Sequence, residues 1–121
     1  MTDTSEPDAG AGKPGVRAVP AAEAAPLRDD PDTIVLDIRT PAEVAQARLP
    51  GELLVIDFNS PGFAQQLDEL DKDATYLMYC RSGNRSGTAR NLMTQLGFTD
   101  VVDVRGGIIE WVNEGLPIDR G

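Results

Sequence analysis

The chain is 121 residues long, which suits one domain built around one hydrophobic core. Hydrophobic residues make up 40% of it and charged ones 26%, so a packed interior is expected and disorder throughout is not. Eleven basic side chains against twenty acidic ones give a net charge of -9, which argues against nucleic acid or an anionic membrane as partner; any anion handled here needs a local cationic pocket.

Residues 1–15 mix Thr, Ser, Asp, Ala, Gly and Pro without apolar periodicity and read as a flexible tail before a domain over 16–121. The start carries Asp3, Glu6 and Asp8 and lacks the basic and apolar regions of a signal peptide. No apolar run approaches the roughly 18 to 20 residues of a spanning helix, so the cytoplasm is the expected compartment. Residues 16–19 are a candidate edge strand that Pro20 keeps short. Residues 34–39 (IVLDIR) are the first clear strand. Thr40-Pro41-Ala42-Glu43 is a capping box with proline at the first helical position, predicting a short helix to about Ala47. A strand over 53–57 (LLVID) follows, then a helix whose stripe is Phe63, Leu67 and Leu70. Residues 75–80 (TYLMYC) form the next strand. Ala89, Leu92, Met93 and Leu96 mark a third helix, which Gly97 closes. Residues 101–104 (VVDV) are a strand, and Ile108, Ile109, Trp111 and Val112 mark a fourth helix, stopped by Gly115 and Pro117. Strands this continuously apolar are buried on both faces. The fold class is therefore α/β, with a central, mostly parallel sheet of about five strands flanked by helices on both faces.

The chain has no histidine and a single cysteine. That removes Ser-His-Asp and Cys-His catalysis, His-ligated metal motifs, internal disulfides and CxxC sites. A lone thiol also suits a reducing compartment. This thiol, Cys80, ends the 75–80 strand, and Arg81-Ser82-Gly83-Asn84-Arg85-Ser86-Gly87 runs from it into the third helix. In open α/β sheets ligands bind beyond the carboxyl ends of strands, where amides of a tight loop and a helix N-terminus converge. Between Tyr79 and Arg90 there are three arginines and no acid. An ordinary thiol of pKa about 8.5 is about 3% ionised at neutral pH, and making half of it reactive requires about 2 to 3 kcal/mol. A helix terminus supplies roughly 0.3 to 1 kcal/mol. Loop amides and arginine charge are left to supply the rest. Arg81 and Arg85 are expected to face a substrate, and Arg90 to be a solvated surface charge. Asp37, Arg39 and Glu43 read as polar supports and a cap. No nucleotide-binding fingerprint is present, and Asn84-Arg85-Ser86 is a chance glycosylation match.

VLDIRT followed by PAEV, then LPGELLVID, CRSGNRSG, and finally GGIIEW with GLP occur in the order found in single-domain rhodaneses. Over about 16–117 the chain resembles that thiosulfate sulfurtransferase-like family, and CRSGNRSG is the specific part. The resemblance implies that Cys80 is a persulfide-forming nucleophile. It implies that the backbone from Arg81 through Ser82, Gly83 and Asn84 to Arg85 cradles it, that Arg81 and Arg85 handle a small anionic donor, and that no metal or organic cofactor is needed. Cys80 would take the outer sulfur of thiosulfate or a similar donor, release sulfite, and pass the sulfur to cyanide, a thiol or a sulfur-carrier protein. With no second cysteine, release needs an external acceptor. The chain departs from the family at Ala47-Arg48-Leu49-Pro50, where a Gly-His pair often precedes the proline turn; the difference bears on that turn's packing. A non-catalytic persulfide carrier or regulatory binding module would show a similar loop. A phosphatase or arsenate reductase of this fold calls for Cys-x5-Arg, whereas Arg85 gives Cys-x4-Arg with Ser86 at the next position.

Overall fold

The computed structural model describes residues 14–121. Along them follow β1 (Gly15–Val19), α1 (Ala21–Arg28), β2 (Thr33–Asp37), α2 (Pro41–Gln46), β3 (Ala47–Arg48), β4 (Leu54–Val55), α3 (Phe63–Asp68), β5 (Thr75–Tyr79), α4 (Asn84–Leu96), β6 (Asp100–Val104), α5 (Gly107–Asn113) and β7 (Asp119–Arg120). Five strands form one parallel sheet in the order β1-β6-β5-β2-β4. β3 and β7 pair antiparallel as a separate two-stranded piece. Apart from Pro14 and Gly15, the tail expected over 1–15 lies outside the described residues, and Gly15 already opens β1.

The side-chain alternation of β5 divides the core. Tyr76, Met78 and Cys80 join a cluster with Phe63 and Leu67 of α3 and with Ala89 and Met93 of α4. Leu77 and Tyr79 face the other way, toward Ala21 and Ala24 of α1 and Ile108 and Trp111 of α5. Helices therefore cover both faces of the sheet, as the apolar strands require. Cys80 follows directly on the central strand, on the α3/α4 side.

The structure differs from the sequence reading at α1, at β4 and in the unannounced two-residue strands β3 and β7. α1 was not expected, because AAEAAPLR has no large apolar stripe; its helix-forming alanines instead let it sit close to the sheet, with Ala21 and Ala24 fully buried. The strand expected over 53–57 is laddered only at Leu54–Val55, although Ile56 and Phe58 continue to donate backbone hydrogen bonds to Asp37 and Ile38. The capping box at Thr40 forms as expected, with Glu43 N–H donating to the Thr40 hydroxyl and Thr40 N–H to the Glu43 carboxylate.

Candidate active site

Cys80 leaves β5 and the chain turns at once into α4, whose N-cap is Gly83 at φ 98° with no side-chain cap. An uncapped helix start leaves its amide hydrogens without acceptors. Here the sulfur serves as one: Gly83 N–H and Ser86 N–H both donate to Cys80 Sγ, at 3.1 and 3.4 Å. The Ser86 hydroxyl lies 3.4 Å from the same sulfur and is fully buried. Two N–H groups and the start of a helix thus converge on one sulfur, the kind of donor set in which proteins hold anions. Cys80 is 1% exposed as a residue and belongs to the core cluster, so in this conformation its sulfur lies beneath the loop and out of contact with solvent.

A second turn holds the loop from behind. Ile108 N–H and Ile109 N–H, at the start of α5, donate to the carbonyls of Cys80 and Arg81 at 2.9 and 3.1 Å. Gly107 makes that approach possible, since a Cβ there would stand 2.3 Å from the Arg81 carbonyl oxygen and its φ is +65°. Gly83 returns the favour toward Arg105, whose carbonyl oxygen would be 2.2 Å from an added Cβ. Each loop thus needs a glycine to admit the backbone of the other.

The arginines separate into different roles. Arg81 is exposed and has no ion-pair partner among the described residues, whereas Arg85 presents both terminal nitrogens to Glu43 at 2.8 Å each. Glu43 is therefore more than a helix cap. The Arg85 guanidinium, with help from Thr40, holds its carboxyl down at about 2, against burial, so this pair persists at neutral pH and is lost only as pH falls toward that value. Arg90 differs from its expected role as a free surface charge. Its Nε donates to Asp103 Oδ2 at 3.0 Å, because Asp103 is buried on β6 and requires a cation. Ser82 and Asn84 are exposed on the loop rim. Asp37 and Arg39 form a buried bidentate pair, to which the Tyr79 hydroxyl also donates, and Arg39 reaches the Ala47 carbonyl at 2.8 Å. They brace the end of β2 and the turn after α2.

Ser86, Asp103 and Gly107 escaped the sequence reading. Ser86 was legible in principle, as a first-turn residue whose amide must find an acceptor. Burial pushes the Asp103 carboxyl up to about 6, against the opposing influence of the Ser86 hydroxyl and Arg90, and its Oδ1 has no hydrogen-bond partner. A folded-state value above the ordinary carboxylate range stabilises the fold at low pH, and that contribution disappears as pH rises through about 6. Asp103→Asn should therefore flatten the stability profile between pH 5 and 7.5 by roughly 1 to 2 kcal/mol. Urea unfolding across that range measures it, and an unchanged slope would remove Asp103 as its source.

Among the described residues no cluster of acids or thiols could hold a metal, and no helix is long and apolar enough to cross a membrane. A family model described as rhodanese-like domain matches residues 20–114. A sulfurtransferase of Allochromatium vinosum is 42% identical over 92 residues, covering 76% of this chain and 83% of the relative. The tRNA uridine(34) hydroxylase of Pectobacterium atrosepticum is 36% identical over 102 residues, which cover 76% of this chain but 28% of that longer protein. Among solved structures, a rhodanese-related protein of Thermoplasma volcanium matches with a TM-score of 0.73 and 31% identity, over 85% of this chain and 97% of its own.

Proposed function

Because the chain belongs to the rhodanese-like family and is similar to proteins named sulfurtransferase, we propose that it moves sulfane sulfur through a Cys80 persulfide, with thiosulfate or a similar small anion as donor. The observation that carries this is the pair of backbone N–H groups aimed at Cys80 Sγ from a helix start. The thiolate attacks the outer sulfur of thiosulfate; the new S–S bond forms as the old one breaks, and sulfite leaves with the bonding pair. The same amides then face the added sulfur and stabilise its negative charge. Transfer to an external thiol, cyanide or a sulfur-carrier protein restores the thiolate. No proton relay is needed, which accords with a chain that has no histidine. The Cys-x4-Arg spacing supports a cradle sized for one sulfur rather than a phosphoryl group.

Arg81 is the residue we assign to donor recognition, since its charge is free while that of Arg85 is bound to Glu43. Arg85 then orders the loop rim and contributes to the donor's field at longer range. Arg81→Ala should lower kcat/KM for thiosulfate at least about tenfold, and alkylation of Cys80 by neutral iodoacetamide much less. Equal losses in the two reactions would instead assign Arg81 to thiol activation.

The function itself is tested by incubating the protein with thiosulfate and weighing it, then adding cyanide and measuring thiocyanate. One sulfur atom added at Cys80 and released as thiocyanate is the expected result. Loading without turnover would leave a persulfide carrier. If the native thiol stays unloaded while the urea-unfolded chain alkylates freely, Cys80 is a packing residue and the proposal fails.

A further inference from the structure

Two buried polar groups next to the nucleophile are left short of good hydrogen bonds. The Ser86 hydroxyl makes two long contacts, 3.4 Å each, to the Gly83 carbonyl and to Cys80 Sγ. Asp103 spends Oδ2 on Arg90 Nε at 3.0 Å and leaves Oδ1 with no partner. Both residues are buried, where an unmet polar atom is costly. They are also neighbours. Ser86 and Arg90 stand one turn apart on the face of α4 that looks onto β6, and the Ser86 hydroxyl is near enough to oppose the effect of burial on the Asp103 carboxyl. The strands on either side bring no charge to Asp103: β1 sets Ala18 beside it and β5 sets Met78. Arg105, just past the end of β6, pairs with Glu110. Arg90 and Ser86 are thus the polar groups that face Asp103, with the Cys80 thiol behind Ser86.

We propose that Asp103 is a positioning residue for sulfur transfer, its carboxyl deciding through Ser86 whether the Cys80 sulfur receives a hydrogen bond from a hydroxyl as well as from the two amides. The inference rests on the sulfur-transfer reading above and concerns the step in which the persulfide gives up its sulfur. A serine hydroxyl has one hydrogen to give. When Asp103 is ionised, Oδ1 takes that hydrogen and Ser86 Oγ turns a lone pair toward Sγ. When Asp103 is protonated, or is replaced by an amide, it donates to Ser86 Oγ and the hydroxyl hydrogen is released to Sγ. Turning the hydroxyl about its C–O bond exchanges the two arrangements without backbone movement. The second arrangement helps transfer. The acceptor's electron pair attacks the outer sulfur, the bond from that sulfur to Sγ breaks, and Sγ leaves with the bonding pair; a donor aimed at Sγ stabilises the charge that collects there. Burial holds the Asp103 carboxyl up at about 6, so the ionised arrangement prevails at neutral pH and mild acidification brings in the other.

Two measurements test this. On protein never exposed to thiosulfate, the side-chain carbons of Ser86 and Asp103 are followed by NMR from about pH 5 to 7.5. The Ser86 Cβ signal should move with the same midpoint as the Asp103 Cγ signal, and stay flat in Asp103→Asn. A flat Ser86 signal in the parent breaks the link between the two residues and overturns the proposal, whether or not any variant folds. Then thiosulfate-loaded protein is mixed with sulfite, and single-turnover loss of the added sulfur is timed. Asp103→Asn should match the parent near about pH 5 and outrun it at least about fivefold near pH 7.5, the ratio cancelling the titration of sulfite itself. In a Ser86→Ala background the same substitution should change nothing at either pH. A ratio that does not vary with pH makes Asp103 a packing residue, and a ratio that survives in Ser86→Ala makes it act by charge alone; either overturns the route through Ser86. Failure of thiosulfate to load Cys80 would instead overturn the sulfur-transfer reading, and the NMR titration would still report on the pair.

Discussion

Cys80→Ser should leave a folded protein with no sulfur transfer. Serine is close in size to cysteine, and its hydroxyl can accept the hydrogen bonds that Gly83 N–H and Ser86 N–H now give to sulfur, at 3.1 and 3.4 Å. The stability cost is accordingly expected to stay within about 1 kcal/mol. Chemistry does not survive the exchange: a serine hydroxyl is not ionised at neutral pH, and this site offers no histidine to take its proton. Thiocyanate production should fall at least about a thousandfold, to the background of the reagents, with no added mass after thiosulfate. Residual turnover within tenfold of the parent would place the nucleophile elsewhere and end the assignment of Cys80.

Gly107→Ala should damage stability and activity together, although residue 107 makes no contact with the sulfur through a side chain. A methyl group there would stand 2.3 Å from the Arg81 carbonyl oxygen and 2.6 Å from that of Cys80, with backbone on the receiving side that cannot swing away. The left-handed φ of +65° adds a conformational cost for any residue with a Cβ. Together these predict a loss of about 2 to 5 kcal/mol in urea unfolding. In the fraction that still folds, the loop must shift to admit the methyl group, and the Gly83 and Ser86 amides lose their aim at sulfur. Sulfur loading should then slow at least about tenfold even after correction for folded protein. A variant with parental stability would show that the approach of α5 to the loop is looser than these distances imply.

Much of the fold was legible because its strands are apolar end to end and its helices announce their limits. The Thr40 capping box, Gly97 at the end of α4 and the run from TYLMYC into the arginine loop each sit where local chemistry puts them. α1 was not legible, because alanines carry no stripe even when they pack against a sheet. The two-residue strands β3 and β7 escaped for a different reason, being defined by pairing across the chain rather than by composition. At the site, the thiol and its cationic loop could be read from adjacency. The division of labour between Arg81 and Arg85 could not, since it depends on Glu43, forty-two residues from Arg85 in the chain. The same holds for Asp103, whose burial beside Arg90 is a tertiary fact.

The amides of Ile108 and Ile109 that fasten the carbonyls of Cys80 and Arg81 belong to the helix whose outer side presents Ile109 and Val112. Pressure applied to that outer side is therefore felt by the main chain of the nucleophile through two short rigid struts, with no flexible segment between. Substitutions on the skin of this one short helix can therefore retune the reactive loop without touching it.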